Sequence, residues 1–136
     1  MSAPKLLFVC VENSCRSQMA EAFARQLGGD AVEAHSAGSR PSGVVNPKAI
    51  ASLAAVGYDL ATHASKSLEE IPPGPYAAAI SMGCGDACPN VPAGLREDWA
   101  LPDPKHMAPP EFDEVRDTIR DRVADLLVRL GVTVRA

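Results

Sequence analysis

Near the amino terminus an apolar run, KLLFV at 5–9, ends on Cys10, and a helical pattern, RSQMAEAFARQL at 16–27, opens six residues later. Ala20, Phe23, Ala24 and Leu27 fall on one helical face, and Gly28 and Gly29 close it. A short all-apolar run joined by a brief loop to a helix is the start of a strand–helix–strand unit. The run is therefore predicted to be a strand buried on both faces of a parallel sheet.

The rest of the chain repeats the alternation. AVEAHSAG (31–38) predicts a second strand closing in a turn, AAAISM (77–82) a third and LREDWA (95–100) a fourth. Between them, NPKAIASLAAVG (46–57) has an Asn cap, a proline at the first helical position and a glycine at its end. SLEE (67–70) reads as a capping box opening a short helix. Phe112, Val115, Ile119, Val123, Leu126, Leu127 and Leu130 form the apolar stripe of a long last helix, which Gly131 terminates. The charges Asp113, Arg116, Asp117, Arg120, Asp121 and Arg122 give that helix a solvated, ion-paired outer face. The fold class is thus α/β: one domain over 1–136 with a parallel sheet and helices on both faces. Such sheets hold their functional crevice beyond the carboxyl ends of the strands. Cys10 follows the first predicted strand, Ser36 ends the second and Cys84 follows the third, so all three are expected on that edge.

Composition narrows the chemistry. A formal charge of −4 on 136 residues argues against a nucleic-acid partner, which calls for a basic face. No apolar run approaches the roughly 20 residues that cross a bilayer. The opening MSAPKLLFVC is too poor in apolar residues for a signal peptide. Neither nucleic acid nor membrane is expected as a partner, and the expected location is the cytoplasm. In a reducing compartment four cysteines point to catalysis or metal binding rather than structural disulfides. His35, His63 and His106 lack metal-like spacing, which speaks against zinc.

The loop CVENSCR lies between a strand end and a helix start. Backbone N–H groups at a helix N-terminus have no partners within the helix and form a ready anion site. Arg16 adds a planar fork suited to two oxygens of a tetrahedral oxyanion. Both features favour a thiolate at Cys10, which makes it the candidate nucleophile. The candidate substrate-binding set is the backbone of Val11, Glu12, Asn13, Ser14, Cys15 and Arg16 together with Ser17. Asn13 tolerates unusual backbone angles and can tie the loop down. Ser17 is placed to assist the thiolate or cap the helix, while Cys15 reads as packing.

CVENSCRS resembles the phosphate-binding loop of the low-molecular-weight protein tyrosine phosphatases and of the arsenate reductases built on that scaffold. HSAGS (35–39), NPKAIASLAAVGYDL (46–60), HASKSL (63–68) and EDWALPDP (97–104) also look like segments of that family. The resemblance implies a four-stranded parallel sheet with the anion-binding loop after the first strand. It also implies that Asp103 is the general acid for the departing oxygen.

Two activities share this loop. In a phosphatase, water hydrolyses the phosphocysteine formed on Cys10. In an arsenate reductase, a second thiol attacks the Cys10 sulfur, which requires further cysteines. SMGCGDACPNVP (81–92) supplies Cys84 and Cys88 among glycines and prolines. By resemblance to thioredoxin-coupled arsenate reductases, Cys84 would attack Cys10 and Cys88 would then attack Cys84. Thioredoxin, or alternatively glutaredoxin with glutathione or another low-molecular-weight thiol, would reduce the Cys84–Cys88 disulfide. Three residues separate this pair, fewer than in well-known members. KHM after Asp103 and Pro104 contains none of the aromatic residues with which the phosphatases line an aryl slot. No tightly bound cofactor is expected. Asn13, Glu21 and Ser36 match positions that hold a potassium ion in some reductases of the family. His63 reads as a hydrogen-bonded structural histidine and Trp99 as packing beside the Asp103 loop. A non-catalytic oxyanion-binding or thiol redox-sensing domain is the contrasting reading.

Overall fold

The computed structural model describes residues 3–82 and 92–134. Four strands, β1 (Lys5–Cys10), β2 (Glu33–Gly38), β3 (Tyr76–Ser81) and β4 (Ala93–Asp98), form one sheet in the order β2-β1-β3-β4. Every pairing is parallel. The helices are α1 (Arg16–Gly28), α2 (Pro47–Ala54) and α3 (Pro109–Arg129). This is the predicted α/β fold with a four-stranded parallel sheet.

β1 is central, which explains its unbroken apolar run. Its pleat sends Leu6, Phe8 and Cys10 to one face and Leu7 and Val9 to the other. The first face carries the main core, built with Phe23 and Leu27 of α1, Leu53 of α2 and Phe112, Ile119 and Leu126 of α3. Phe8, Phe23 and Phe112 are fully buried there. Each such side chain contributes about 1.5–3 kcal/mol of transfer free energy. On the second face, Leu7, Val9, Ala37 and Tyr76 meet Leu68 and Ile71, at a single 3₁₀ turn spanning Leu68–Glu70. Among the described residues no helix is long and apolar enough to cross a membrane.

Partners, rather than local pattern, set the element ends. β2 begins at Glu33 rather than at residue 31, because its six residues pair one for one with Lys5–Cys10, and Gly29–Ala31 make a 3₁₀ turn first. β4 begins at Ala93 because it pairs with Tyr76, so Trp99 leaves the sheet and turns back to Phe8, ring centroids 6.0 Å apart. α2 stops at Ala54, and Gly57 at φ 87° completes the turn that follows. The SLEE capping box forms, with Ser67 N donating to Glu70 Oε2 at 2.7 Å, but closes one 3₁₀ turn instead of a helix.

Candidate active site

β1 ends at Cys10 and α1 starts at Arg16, so residues 11–15 make the whole connection at the carboxyl edge of the sheet. Their carbonyls are anchored away from the connection. Arg40 N donates to Val11 O at 2.8 Å, Ser42 N to Glu12 O at 3.0 Å and Asn46 N to Ser14 O at 3.0 Å. Gln18 Nε2 donates to Asn13 O at 3.1 Å, and Ser65 Oγ gives Glu12 O a second donor at 3.0 Å. In a planar trans peptide the next N–H points opposite to the carbonyl. Anchoring the carbonyls of 11–14 therefore turns the N–H groups of 12–15 inward, over a pocket lined by Cys10, Val11, Glu12, Ser14, Cys15, Arg16, Asp103 and Lys105. Side-chain caps do not compete for that end of α1, since Cys15 at the N-cap makes no capping hydrogen bond.

Asn13 is the pivot. It is fully buried at φ 49°, a left-handed conformation that asparagine tolerates. Its Oδ1 accepts from Lys66 N at 2.8 Å and Gln18 Nε2 at 2.9 Å, so its Nδ2 is the atom that donates to Ser17 Oγ at 2.8 Å. Ser17 Oγ lies 2.8 Å from Cys10 Sγ. With a lone pair of Ser17 engaged by Asn13, its single proton is directed at the sulfur whenever Cys10 is a thiolate. The chain continues backward. Gln18 Oε1 accepts from His63 Nδ1 at 2.9 Å, which leaves His63 Nε2 to accept from Tyr58 Oη at 2.7 Å. Burial holds the His63 imidazole below its ordinary pKa, Arg25 and Lys66 pushing the same way and Glu21 against them. The ring is therefore neutral, as this donor pattern requires.

Two further groups complete the pocket. Arg16 is largely buried, and its Nη1 donates to Leu101 O at 2.9 Å, which ties the guanidinium to the segment that carries Asp103. Asp103 lines the same pocket as Cys10, and its Oδ1 accepts from Lys105 N at 3.1 Å. Cys15 is buried, and burial pushes its pKa up to about 11, so it stays a thiol at neutral pH as a packing residue would. A buried free thiol, an N–H cup, a guanidinium and a carboxyl group together suit displacement at a tetrahedral oxyanion centre.

The family model described as low molecular weight phosphotyrosine protein phosphatase matches residues 5–136. The chain belongs to this family. Among its family relatives, the glutaredoxin arsenate reductase of Synechocystis sp. is 39% identical over 130 residues, covering 93% of this chain and 98% of that one. A solved arsenate reductase in its phosphate-binding state superimposes with a TM-score of 0.83 at 38% identity, covering 93% and 98%. The thioredoxin-dependent arsenate reductase of Corynebacterium glutamicum gives a TM-score of 0.76 at 29% identity, covering 95% of this chain and 62% of that chain.

The structure brings Cys10, Val11, Glu12, Ser14, Cys15, Arg16 and Asp103 to one pocket, while Asn13 and Ser17 do not line it and are fully buried. Cys84 and Cys88 lie outside the described residues. β3 nonetheless leads toward the site: Val9 is in register with Ser81, and Met82 N donates to Val9 O at 2.9 Å, one residue before Cys10. Glu21 and Ser36 meet, with Ser36 Oγ donating to Glu21 Oε1 at 2.5 Å. The residues do not fit a potassium ion, however. Arg25 stands 2.7 Å from the Glu21 carboxylate and Lys66 3.7 Å, while Asn13 Oδ1 already takes two donors. Gly38 does more than close a turn: a Cβ there would lie 2.6 Å from Val11 O and 2.9 Å from Asn13 N. Only glycine lets β2 pass so close beneath the loop. Gln18, Tyr58 and Lys105 also escape a sequence reading, because their partners lie on other segments.

Proposed function

We infer that the protein is an arsenate reductase acting as one domain in the cytoplasm. Carrying this reading is the pocket itself: a Cys10 thiol in an N–H cup, with Arg16 and Asp103, and a rim of Glu12 and Lys105 where an aryl phosphate would need aromatic walls. The similarity to arsenate reductases over nearly the whole chain supports it.

In the proposed reaction the Cys10 thiolate forms a sulfur–arsenic bond with arsenate. Asp103 protonates the departing oxygen, which leaves as water. Cys84, as a thiolate, then attacks Cys10 Sγ. The sulfur–arsenic bond breaks with its electron pair going to arsenic, arsenite leaves, and a Cys10–Cys84 disulfide remains. Arsenic has gained two electrons and the two thiols have lost them. Cys88 attacks Cys84, releases the Cys10 thiolate, and the Cys84–Cys88 disulfide is reduced from outside. Thioredoxin is the proposed donor, supported by the Corynebacterium relative, while the Synechocystis relative makes glutaredoxin with glutathione the natural competitor.

The test is NADPH consumption with thioredoxin and thioredoxin reductase, with and without arsenate. Arsenate-dependent oxidation lost in Cys10→Ser, Cys84→Ser and Cys88→Ser establishes the relay. Turnover only with glutaredoxin and glutathione reassigns the donor. No arsenate-dependent turnover with any thiol, alongside brisk aryl phosphate hydrolysis, makes the protein a phosphatase working through a Cys10 phosphocysteine.

A further inference from the structure

The anion-binding loop carries a carboxylate, Glu12, at the rim of a pocket built to hold an anion. Left alone, that charge would repel the oxyanion. It is not left alone: Lys105 Nζ lies 3.0 Å from Glu12 Oε1 and 3.1 Å from Oε2. The two residues are 93 positions apart in sequence. Each sits two residues from a reacting group, Glu12 after Cys10 and Lys105 after Asp103. The pair therefore bridges the anion loop and the acid loop. Lys105 is also fixed from behind, since Lys48 Nζ donates to the carbonyls of Lys105 and Met107, both at 3.1 Å. As a stabilising element an exposed ion pair counts for little. Its position gives it another use.

In an in-line displacement by Cys10 Sγ, the leaving oxygen lies opposite the sulfur, and to be protonated it must lie beside Asp103. An inorganic oxyanion loses only water there. An ester places an organic group at the same point, and that group must pass between the loops that Glu12 and Lys105 join. We propose that the Glu12–Lys105 ion pair is a specificity bar across the mouth of the pocket, admitting inorganic tetrahedral oxyanions and rejecting organic phosphates and phosphonates. This rests on the oxyanion-pocket reading above but not on arsenate turnover.

Calorimetric titration of the whole chain with inorganic phosphate and with benzylphosphonate tests it, because neither ligand is turned over. Lys105→Ala leaves Glu12 facing the anion and should weaken phosphate about tenfold. Glu12→Ala frees the ammonium and should tighten phosphate several-fold. The double variant should return phosphate affinity close to wild type while raising the benzylphosphonate-to-phosphate affinity ratio about tenfold. Exchanging the pair, Glu12→Lys with Lys105→Glu, should restore the wild-type ratio, and a single substitution's effect should shrink in high salt. Single variants that shift phosphate affinity in the same direction overturn the bar. So does a double variant whose ratio does not move. Wild-type protein that binds no phosphate overturns the pocket reading and the bar together, whereas a failed arsenate assay with these shifts intact overturns only the reductase.

Discussion

On one side of the pocket, the carbonyls of residues 11–14 take donors from Arg40, Ser42, Asn46, Gln18 and Ser65, three of them backbone N–H groups. On the other, the segment from Leu101 to Met107 is tied to the rest by three long cationic side chains, Arg16, Lys48 and Lys105. Hydrogen bonds between neutral groups are short-ranged and little affected by salt. The Glu12–Lys105 tie, by contrast, is an exposed ion pair that salt weakens. The side that must match a fixed tetrahedron is thus built rigid. The side that, in the proposed reaction, delivers a proton and lets an oxygen leave is held in part by a contact that salt can weaken. Position and chemistry are divided between two kinds of bonding.

That division can be broken from either end. The largest effect is expected from Asp103→Asn, which removes the acid without disturbing the cup: kcat should fall by about 10²–10⁴ while phosphate affinity stays within about twofold. An equal loss in both would show that the acid loop is also a binding element. Gly38→Ala attacks the rigid side, because its new Cβ would meet Val11 O and Asn13 N at less than van der Waals distance. A displacement of about 1 Å in a positioned loop costs roughly 100-fold in rate. Phosphate affinity should fall with it, and a variant with unchanged phosphate binding would mean that the loop is less rigid than its anchors imply.

The smallest effect sharpens the comparison through pH. His63 is neutral in the fold and below its ordinary value of 6.5. An unfolded chain therefore binds more protons than the native one as pH falls from 6.5 toward the folded value, and stability declines over that window. Above 6.5 the contribution is fully present. Thermal unfolding between pH 7.5 and 5.5 should show the wild type losing a few degrees more than His63→Gln, which keeps a polar group between Tyr58 and Gln18. Equal slopes would remove His63 from the support of the rigid loop.

Much of this fold is legible in the chain because its signals are local. An unbroken apolar run, a cysteine at its end, a helix pattern and capped boundaries place the sheet, the loop and Arg16 without further help. The partners of the loop are another matter. Arg40, Ser42 and Asn46 act through backbone N–H groups that any residue but proline possesses, so their side chains leave no trace of the role. Gly38 looks like a turn glycine until β2 is seen passing under Val11. His63 stands out in its segment, yet Gln18 lies 45 positions away and Glu12 is 93 from Lys105. The starts of β2 and β4 differ by two residues from the local pattern, because there the pairing partner decides the length.

Apart from Gln18, the anchors of the anion loop are Arg40, Ser42, Asn46, Ser65 and Lys66, all of which lie beyond β2 in the chain. A partly folded or locally opened chain thus carries Cys10 as one more ungathered thiol, without the cup or the serine that prepares it. Reactivity of Cys10 is in this sense a report on the completeness of the fold. Under the proposed mechanism a chain without its pocket carries no armed nucleophile, and a molecule that loosens is disarmed by the same opening.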